Sequence, residues 1–376
     1  MRFIHSSDWQ IGKVFRFVDA ETMAVLQEAR LDAIGRLANI ARTEGASFVI
    51  VAGDVFDQER PSDRTLQRAV ARMSAAPWAA WYLLPGNHDP HRPNGLWDRM
   101  ARLGLPPNIH LLLEAKPVSV GEAIPAWLLP APLTSRQSLE DITAWMDLAP
   151  TPDGHLRIGI AHGSIAGFTS DESHLHNPID PRRSESAGLS YLALGDWHGT
   201  REIGPRCWYS GTPEVDAFRV DGGGHALVVE VEGIGYPAKV ISQKVGFYDW
   251  HRLGAIIQSL ADIDALRSML FGIGGDASRN LIQLTVSGTL SLSDRTVFDE
   301  RIKHKAGAAF RHLGFRDADL RTTFQTDDLD AIDHAGFVRA AAERLRAIAA
   351  DPADARAGIA ALALQRLFLL REQASR

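Results

Sequence analysis

The sequence predicts an α/β fold: a sheet-based domain over residues 1–244, a small α+β unit over 245–330 and a helical tail over 331–376. Three observations carry this. "SFVIVAGD" is a nearly unbroken apolar run, as expected of a strand whose sheet is covered on both faces. It stands in a strand–helix–strand rhythm that fills the first part of the chain. From about Gly246 that rhythm stops, and a strand alternating apolar with polar residues follows.

In order, "RFIHSSD" (Arg2 to Asp8) reads as a short strand that stops at polar residues. Glu21 to Glu44 has helical periodicity, with Met23, Leu26, Ile34, Leu37 and Ile40 on one broad face. After "SFVIVAGD" a helix runs from about Ser62 to Ser74, its start marked by Pro61 and Ser62. "AAWYLLPGNHD" is a strand broken by Pro85 and Gly86. Shorter strands follow at "NIHLLL", "PVSV" and "PAWLLPAP", then "HLRIGIAHGS" and "SYLALGDWHG", each ending at His or Asp, and "ALVVEVEG" and "AKVISQKV" close the domain. In the small unit Ile282, Leu284 and Val286 share one face of "NLIQLTVSG", with Leu281, Gln283 and Thr285 on the other, and a helix is expected from roughly Thr296 to His312. The stretch from about Ala335 reads as two helices, with Pro352 near the start of the second.

The chain has 376 residues, 45% of them hydrophobic and 23% charged, which is ordinary globular composition. Its formal net charge of −6 argues against a protein that coats nucleic acid, so any such contact must be local or helped by bound cations. The single cysteine, Cys207, excludes both an intrachain disulfide and a cysteine-rich zinc site, and is expected to pack as a small apolar residue. "MRFIHSSDWQ" lacks a signal pattern and no apolar run reaches spanning length, so a cytoplasmic protein without a membrane partner is expected.

Five strand ends carry the chemistry: "SDWQ", "GDVFD", "GNHD", "AHG" and "GDWHG". Alone, each is a turn or a cap. Together they supply Asp8, Gln10, Asp54, Asn87, His162, Asp196 and His198, all oxygen or imidazole donors at strand C-termini, where open α/β sheets place ligands. Divalent cations such as Mn²⁺ or Mg²⁺ accept that mixture. Two such ions roughly 3.5–4 Å apart share a bridging carboxylate and activate a water between them. Asp54, mid-order in the sheet, is the natural bridge.

"GDVFD", "GNHD" and "AHG", in this order and spacing, resemble the calcineurin-like metallophosphoesterases over residues 1 to about 240. Within that superfamily "FIHSSDWQIG", "LALGDWHG" and "WYSGTPE" look like the DNA-repair exonuclease branch, which holds the SbcD-type nuclease subunits and YhaO-like proteins. The resemblance implies a sandwich of two mixed sheets flanked by helices, with metals at one edge. It implies one metal on Asp8, Gln10, Asp54 and His198, and the other on Asp54, Asn87, His162 and Asp196. It makes His88 the acid for the leaving alkoxide and Asp57 the residue that orients His88. The family pattern has His where this chain has Gln10 and Asp196. Gln10 would ligate weakly through its carbonyl oxygen, while three carboxylates favour Mn²⁺, or Mg²⁺, over softer selection.

The implied activity is metal-dependent phosphodiester hydrolysis on DNA, with the small α+β domain capping the site and the tail docking a SbcC-like or YhaN-like ATPase. A phosphoesterase acting on a small phosphoester or cyclic nucleotide stays open as the alternative, as does a weakly active regulatory subunit, and a homodimer. "GIAALALQRLFLL" (Gly358 to Leu370) places Ile359, Leu362, Ala363, Leu367, Phe368 and Leu370 on a wide apolar surface, either tucked against its own unit or offered to a partner. His174 and His176, with Arg182 and Arg183, are expected in a solvated loop, and His5 and His91 are expected to be bystanders of the site.

Overall fold

The computed structural model describes residues 1–376 except 122–123, 166–175, 324–328, 330–331, 334–335, 352 and 375–376, so His174 and Pro352 lie outside the described residues. Its contacts divide the chain into two compact units, Met1–Tyr248 and Asp249–Arg376.

In the first unit, strands β1 (Arg2–Ser6), β2 (Phe48–Val51), β3 (Ala80–Leu83) and β4 (Ile109–Leu111) alternate with helices α1 (Ala20–Thr43), α2 (Asp63–Ser74) and α3 (Leu96–Ala101). Then come β5 (Val118–Ser119), β6 (Ala126–Ala131), β7 (Leu156–His162), the short pair β8 (Ser164–Ile165) and β9 (Pro178–Ile179), and β10 (Tyr191–Gly195). β11 (Arg201–Gly204), β12 (Cys207–Tyr209), β13 (His225–Glu230) and β14 (Lys239–Lys244) complete it. Two six-stranded sheets result, in the orders β14-β13-β1-β2-β3-β4 and β11-β12-β10-β7-β6-β5. Each is mixed: β1 runs parallel to β2 but antiparallel to β13, and β7 runs parallel to β10 while β11 opposes β12.

The apolar run of β2 is explained by its two neighbours. Ile50 and Phe48 face the other sheet, in a cluster with Phe3, Leu128, Ile158, Ile160 and Tyr191. Val49 and Val51 face outward under Leu37 of α1 and Leu66 and Met73 of α2. Both helices start on side-chain caps: Asp19 accepts from Thr22 N, and Ser62 from Thr65 N. A third cluster, with Leu129, Met146, Leu189 and Leu192, covers the outer face of the second sheet. Cys207 packs there as a small apolar residue, its thiol pushed up to about 12 by burial.

The second unit is built on three parallel strands, β15 (Asp249–Ile257), β16 (Asn280–Ser291) and β17 (His312–Thr323), in that order. Ile282, Leu284 and Val286 of β16 are buried in its core with Ile257, Phe298 and Ile302, while Thr285 is exposed. The helix expected from Thr296 to His312 instead starts at Leu292, where Ser291 caps Asp294 N. It widens to π winding over Asp299–Ala306 and gives way to β17 at His312. Two helices end the chain, Phe337–Ala350 and Ala357–Ala374. Leu364 and Phe368 of the last one are buried with Leu292, Leu329, Ile332 and Ala342, whereas Ile359, Leu362 and Leu370 are exposed. The apolar surface is thus divided between the unit's own core and solvent.

Candidate metal centre

β1 and β2 are neighbours in one sheet, β7 and β10 in the other, and all four end at the same edge of the sandwich. Asp8 and Asp54 follow β1 and β2; His162 ends β7, and Asp196 follows β10. The first two loops are stitched side by side, with Asp8 N donating to Gly53 O, Gln10 N to Asp54 O and Ile11 N to Val55 O. The backbone turns left-handed at the donors themselves, with φ of 53° at Asp8, 44° at Gln10, 54° at Asp54 and 97° at Asp196. Side chains there cost conformational energy, and such positions gather at functional sites.

Close approach of the sheets requires glycine at two points. A Cβ on Gly195 would stand 2.0 Å from Ala52 O, and one on Gly53, at φ +90°, would stand 2.2 Å from His162 Nδ1.

Asp8, Asp54 and His162, all buried, bring ligand atoms within 4.8 Å of one another. His162 Nε2 lies 3.1 Å from Asn87 Oδ1, 3.4 Å from Asp54 Oδ1 and 3.8 Å from Asp196 Oδ1. Adjacent donors around an octahedral ion with bonds of roughly 2.1 Å stand about 3 Å apart, and the distances from His162 to Asn87 and Asp54 are of that order. His198 Nε2 is 3.8 Å from Asp8 Oδ1. Asp8 is held by Ser7 Oγ at 2.5 Å and by the main-chain N–H of Asp196 at 3.2 Å.

Electrostatics agree with a cation site. Burial pushes the Asp8 carboxyl up, against the nearby imidazoles of His198 and His162. Burial pulls His162 down, but the carboxylates of Asp54, Asp8 and Asp196 outweigh it and raise the imidazole to about 9. Burial thus disfavours the charged form of Asp8 while the carboxylates favour a protonated His162, so the cluster stabilises positive charge of the kind a divalent ion would bring. His162 Nδ1 donates to Ala52 O at 2.9 Å, which leaves Nε2 as the lone-pair nitrogen facing the acids when the ring is neutral.

Two expectations need correction. Gln10 does not turn its carbonyl oxygen to the cluster: Oε1 accepts from Lys13 Nζ at 2.6 Å, and the amide nitrogen lies 3.1 Å from His198 Nε2. An ammonium has only donors, so it draws the acceptor end of the amide. His88 is not oriented by the Asp57 carboxylate: its Nδ1 donates to the Asp57 main-chain oxygen at 2.9 Å. The Asp57 carboxylate instead lies 3.9 Å from Lys13, and burial raises its pKa against that ammonium. His88 N donates to Asp54 Oδ1 at 2.8 Å, and Nε2 stands 4.0 Å from Asp54 Oδ2.

Sequence reasoning missed Asp216, a buried acid that holds His198 Nδ1 at 3.0 Å. It lies past "WYSGTPE", outside any strand end, so no repeated pattern marked it. His198 is pulled down by burial but raised overall by Asp216 and Asp8. Asp89 ties two loops together by accepting from Gly86 N at 2.7 Å and Phe56 N at 2.9 Å. His5 is buried on Tyr191 and Leu194, His91 lies 3.3 Å from Asp98, and Arg183 is fixed by Asp141 and Asp147.

The chain is 24% identical over 251 residues to "Uncharacterized metallophosphoesterase YhaO" of Bacillus subtilis (strain 168), a match covering 62% of this chain and 58% of that protein. It thus spans less than two thirds of that relative. The crystal structure of TT1561 of Thermus thermophilus is 12% identical, covers 65% of this chain and 98% of its own, and superposes with a TM-score of 0.41. Residues 1–231 match the family model of the calcineurin-like phosphoesterases, whose members bind divalent metals. Since that match takes in every strand end from Asp8 to His198, the chain belongs to the calcineurin-like phosphoesterase family.

Proposed function

We propose that the protein is a metal-dependent phosphodiesterase acting on DNA in the cytoplasm, an SbcD-like nuclease of DNA repair. The observation that carries the hydrolytic reading is the meeting of Asp8, Asp54 and His162 at one buried point, with Asn87 and Asp196 beside them. Asp54, Asn87, His162 and Asp196 would hold one cation, Mn²⁺ before Mg²⁺ given the acids, and Asp8, Asp54 and His198 would hold a second. Divalent ions bound there supply charge for a developing oxyanion and a water of lowered pKa. The chain's own residues do the rest. His88, half-exposed and anchored through Nδ1, presents Nε2 to protonate the leaving oxygen. Asp89 and the Asp54–His88 main-chain contact fix the loop that carries it.

DNA as substrate is supported by the motif resemblance and by a groove that takes in Pro90, two residues past His88, and is lined by Arg60, Arg92 and Arg99 together with Glu59, which pairs with Arg92 at 3.0 Å. The exposed side chains of Ile359, Leu362 and Leu370 support docking of an SbcC-like or YhaN-like ATPase on the last helix. The test is Mn²⁺-dependent cleavage of linear duplex DNA, single-stranded DNA and a chromogenic phosphodiester. We expect DNA to be degraded and EDTA to stop it. Asp54→Asn should abolish cleavage yet leave circular dichroism unchanged, because asparagine tolerates the left-handed backbone at position 54. Turnover of the small diester alone would replace DNA with a small phosphoester, and near-normal turnover by Asp54→Asn would remove the metal assignment.

A further inference from the structure

Lys13, Gln10, His198 and Asp216 form a closed ring of polar contacts at the edge of the cluster. Lys13 Nζ donates to Gln10 Oε1 at 2.6 Å and lies 2.8 Å from Asp216 Oδ2. Asp216 in turn holds His198 Nδ1, and Gln10 Nε2 lies 3.1 Å from His198 Nε2. An acid at Nδ1 keeps the proton there, so Nε2 of neutral His198 is a lone pair, and the Gln10 amide donates to it. That is the lone pair a cation shared with Asp8 and Asp54 would need. Turning the Gln10 amide over would bring its carbonyl to the ion but set its N–H₂ against the Lys13 ammonium. Among the described residues His162 Nε2 meets acceptor oxygens from Asn87, Asp54 and Asp196, and no ammonium is placed against it as Lys13 is against Gln10.

We propose that Lys13 is a built-in cation that competes with the metal shared by Asp8, Asp54 and His198. The half-site of Asn87, His162 and Asp196 fills first, and the other half fills only when the ammonium releases Gln10. The inference rests on the cluster being a metal site, as proposed above. Its test is binding rather than turnover: titration calorimetry with Mn²⁺, alongside electron paramagnetic resonance to separate isolated from paired ions. The wild-type chain should take one Mn²⁺ tightly, as an isolated ion, and a second much more weakly. Lys13→Met should strengthen the second ion by about tenfold or more, since a like charge is removed from beside a dication. Lys13→Gln, neutral and hydrogen-bonding, should do the same, and Lys13→Arg should not. If Lys13 merely supported His198 and Asp216, both neutral variants would weaken the second ion, which would overturn the proposal. Two equal affinities untouched by either variant would overturn it too. Failure of the wild type to bind any Mn²⁺ would instead remove the metal site on which it rests.

Discussion

At the scale of single residues, His88 separates two roles that could be confused. Its main-chain N–H serves Asp54, so truncating the side chain leaves that contact intact. His88→Ala should therefore keep Mn²⁺ affinity while cutting turnover by about 10²–10⁴-fold. The defect should shrink on a nitrophenyl diester, whose leaving group needs no proton; an equal defect on DNA and on that diester would exclude the acid role. His5 offers a second, independent check. Burial lowers its imidazole from 6.5 to about 3, so the unfolded chain takes up a proton the folded one refuses. Stability from this group is complete above pH 6.5 and falls as pH drops toward 3. Between pH 6 and 4.5 the wild type should lose about 2 kcal/mol more than His5→Gln. Urea unfolding of the metal-free proteins at both pH values measures this, and equal losses would mean that folded His5 accepts the proton. The candidate donors stood out in the sequence because each follows or ends an apolar strand. Lys13 and Asp216 were not, since a residue whose role is to hold another's side chain leaves no periodic trace.

Among the elements, the last helix makes the sharpest claim. Leu364 is fully buried and Phe368 nearly so, yet Ile359 and Leu362 lie 72% and 59% exposed on the same helix. Leu364→Ala should destabilise the second unit by about 2–5 kcal/mol. Ile359→Ser with Leu362→Ser should change stability by no more than about 0.5 kcal/mol per site, while abolishing co-purification with the ATPase proposed as its partner. Retained co-purification would place the partner elsewhere. β17 shows why part of the second unit was silent in the sequence. Its pairing with β16 shifts register between Thr285 and Ser287, where Arg316 and Asp319 become the partners. A bulge of this kind breaks the period-two pattern by which a strand is read. The π winding that ends the preceding helix likewise departs from the 3.6-residue period.

For the whole molecule, all the candidate donors lie within Met1–Tyr248 and none within Asp249–Arg376. Thermal unfolding should then show two transitions, of which Mn²⁺ moves only one. At 100 times its dissociation constant the ion adds about 2.7 kcal/mol to the unit that binds it. That is about 5–10 °C for a unit of this size. Calorimetry of the wild type and Asp54→Asn decides it: the shift should vanish in the variant, and a shift shared by both transitions would show that they do not unfold separately. Charge belongs to this scale as well. With a net charge of −6, the DNA binding proposed above should depend strongly on loaded divalent ions and on local arginines such as Arg60, Arg92 and Arg99.

Asp8, Gln10, Asp54 and Asp196 all sit in left-handed backbone that glycine would occupy more comfortably. The sequence thus keeps polar and charged side chains where folding alone would favour glycine. Random variation selected for heat resistance alone, with no demand for turnover, should discard these four positions early. The survivors would be hardier proteins of the same fold that have stopped being enzymes.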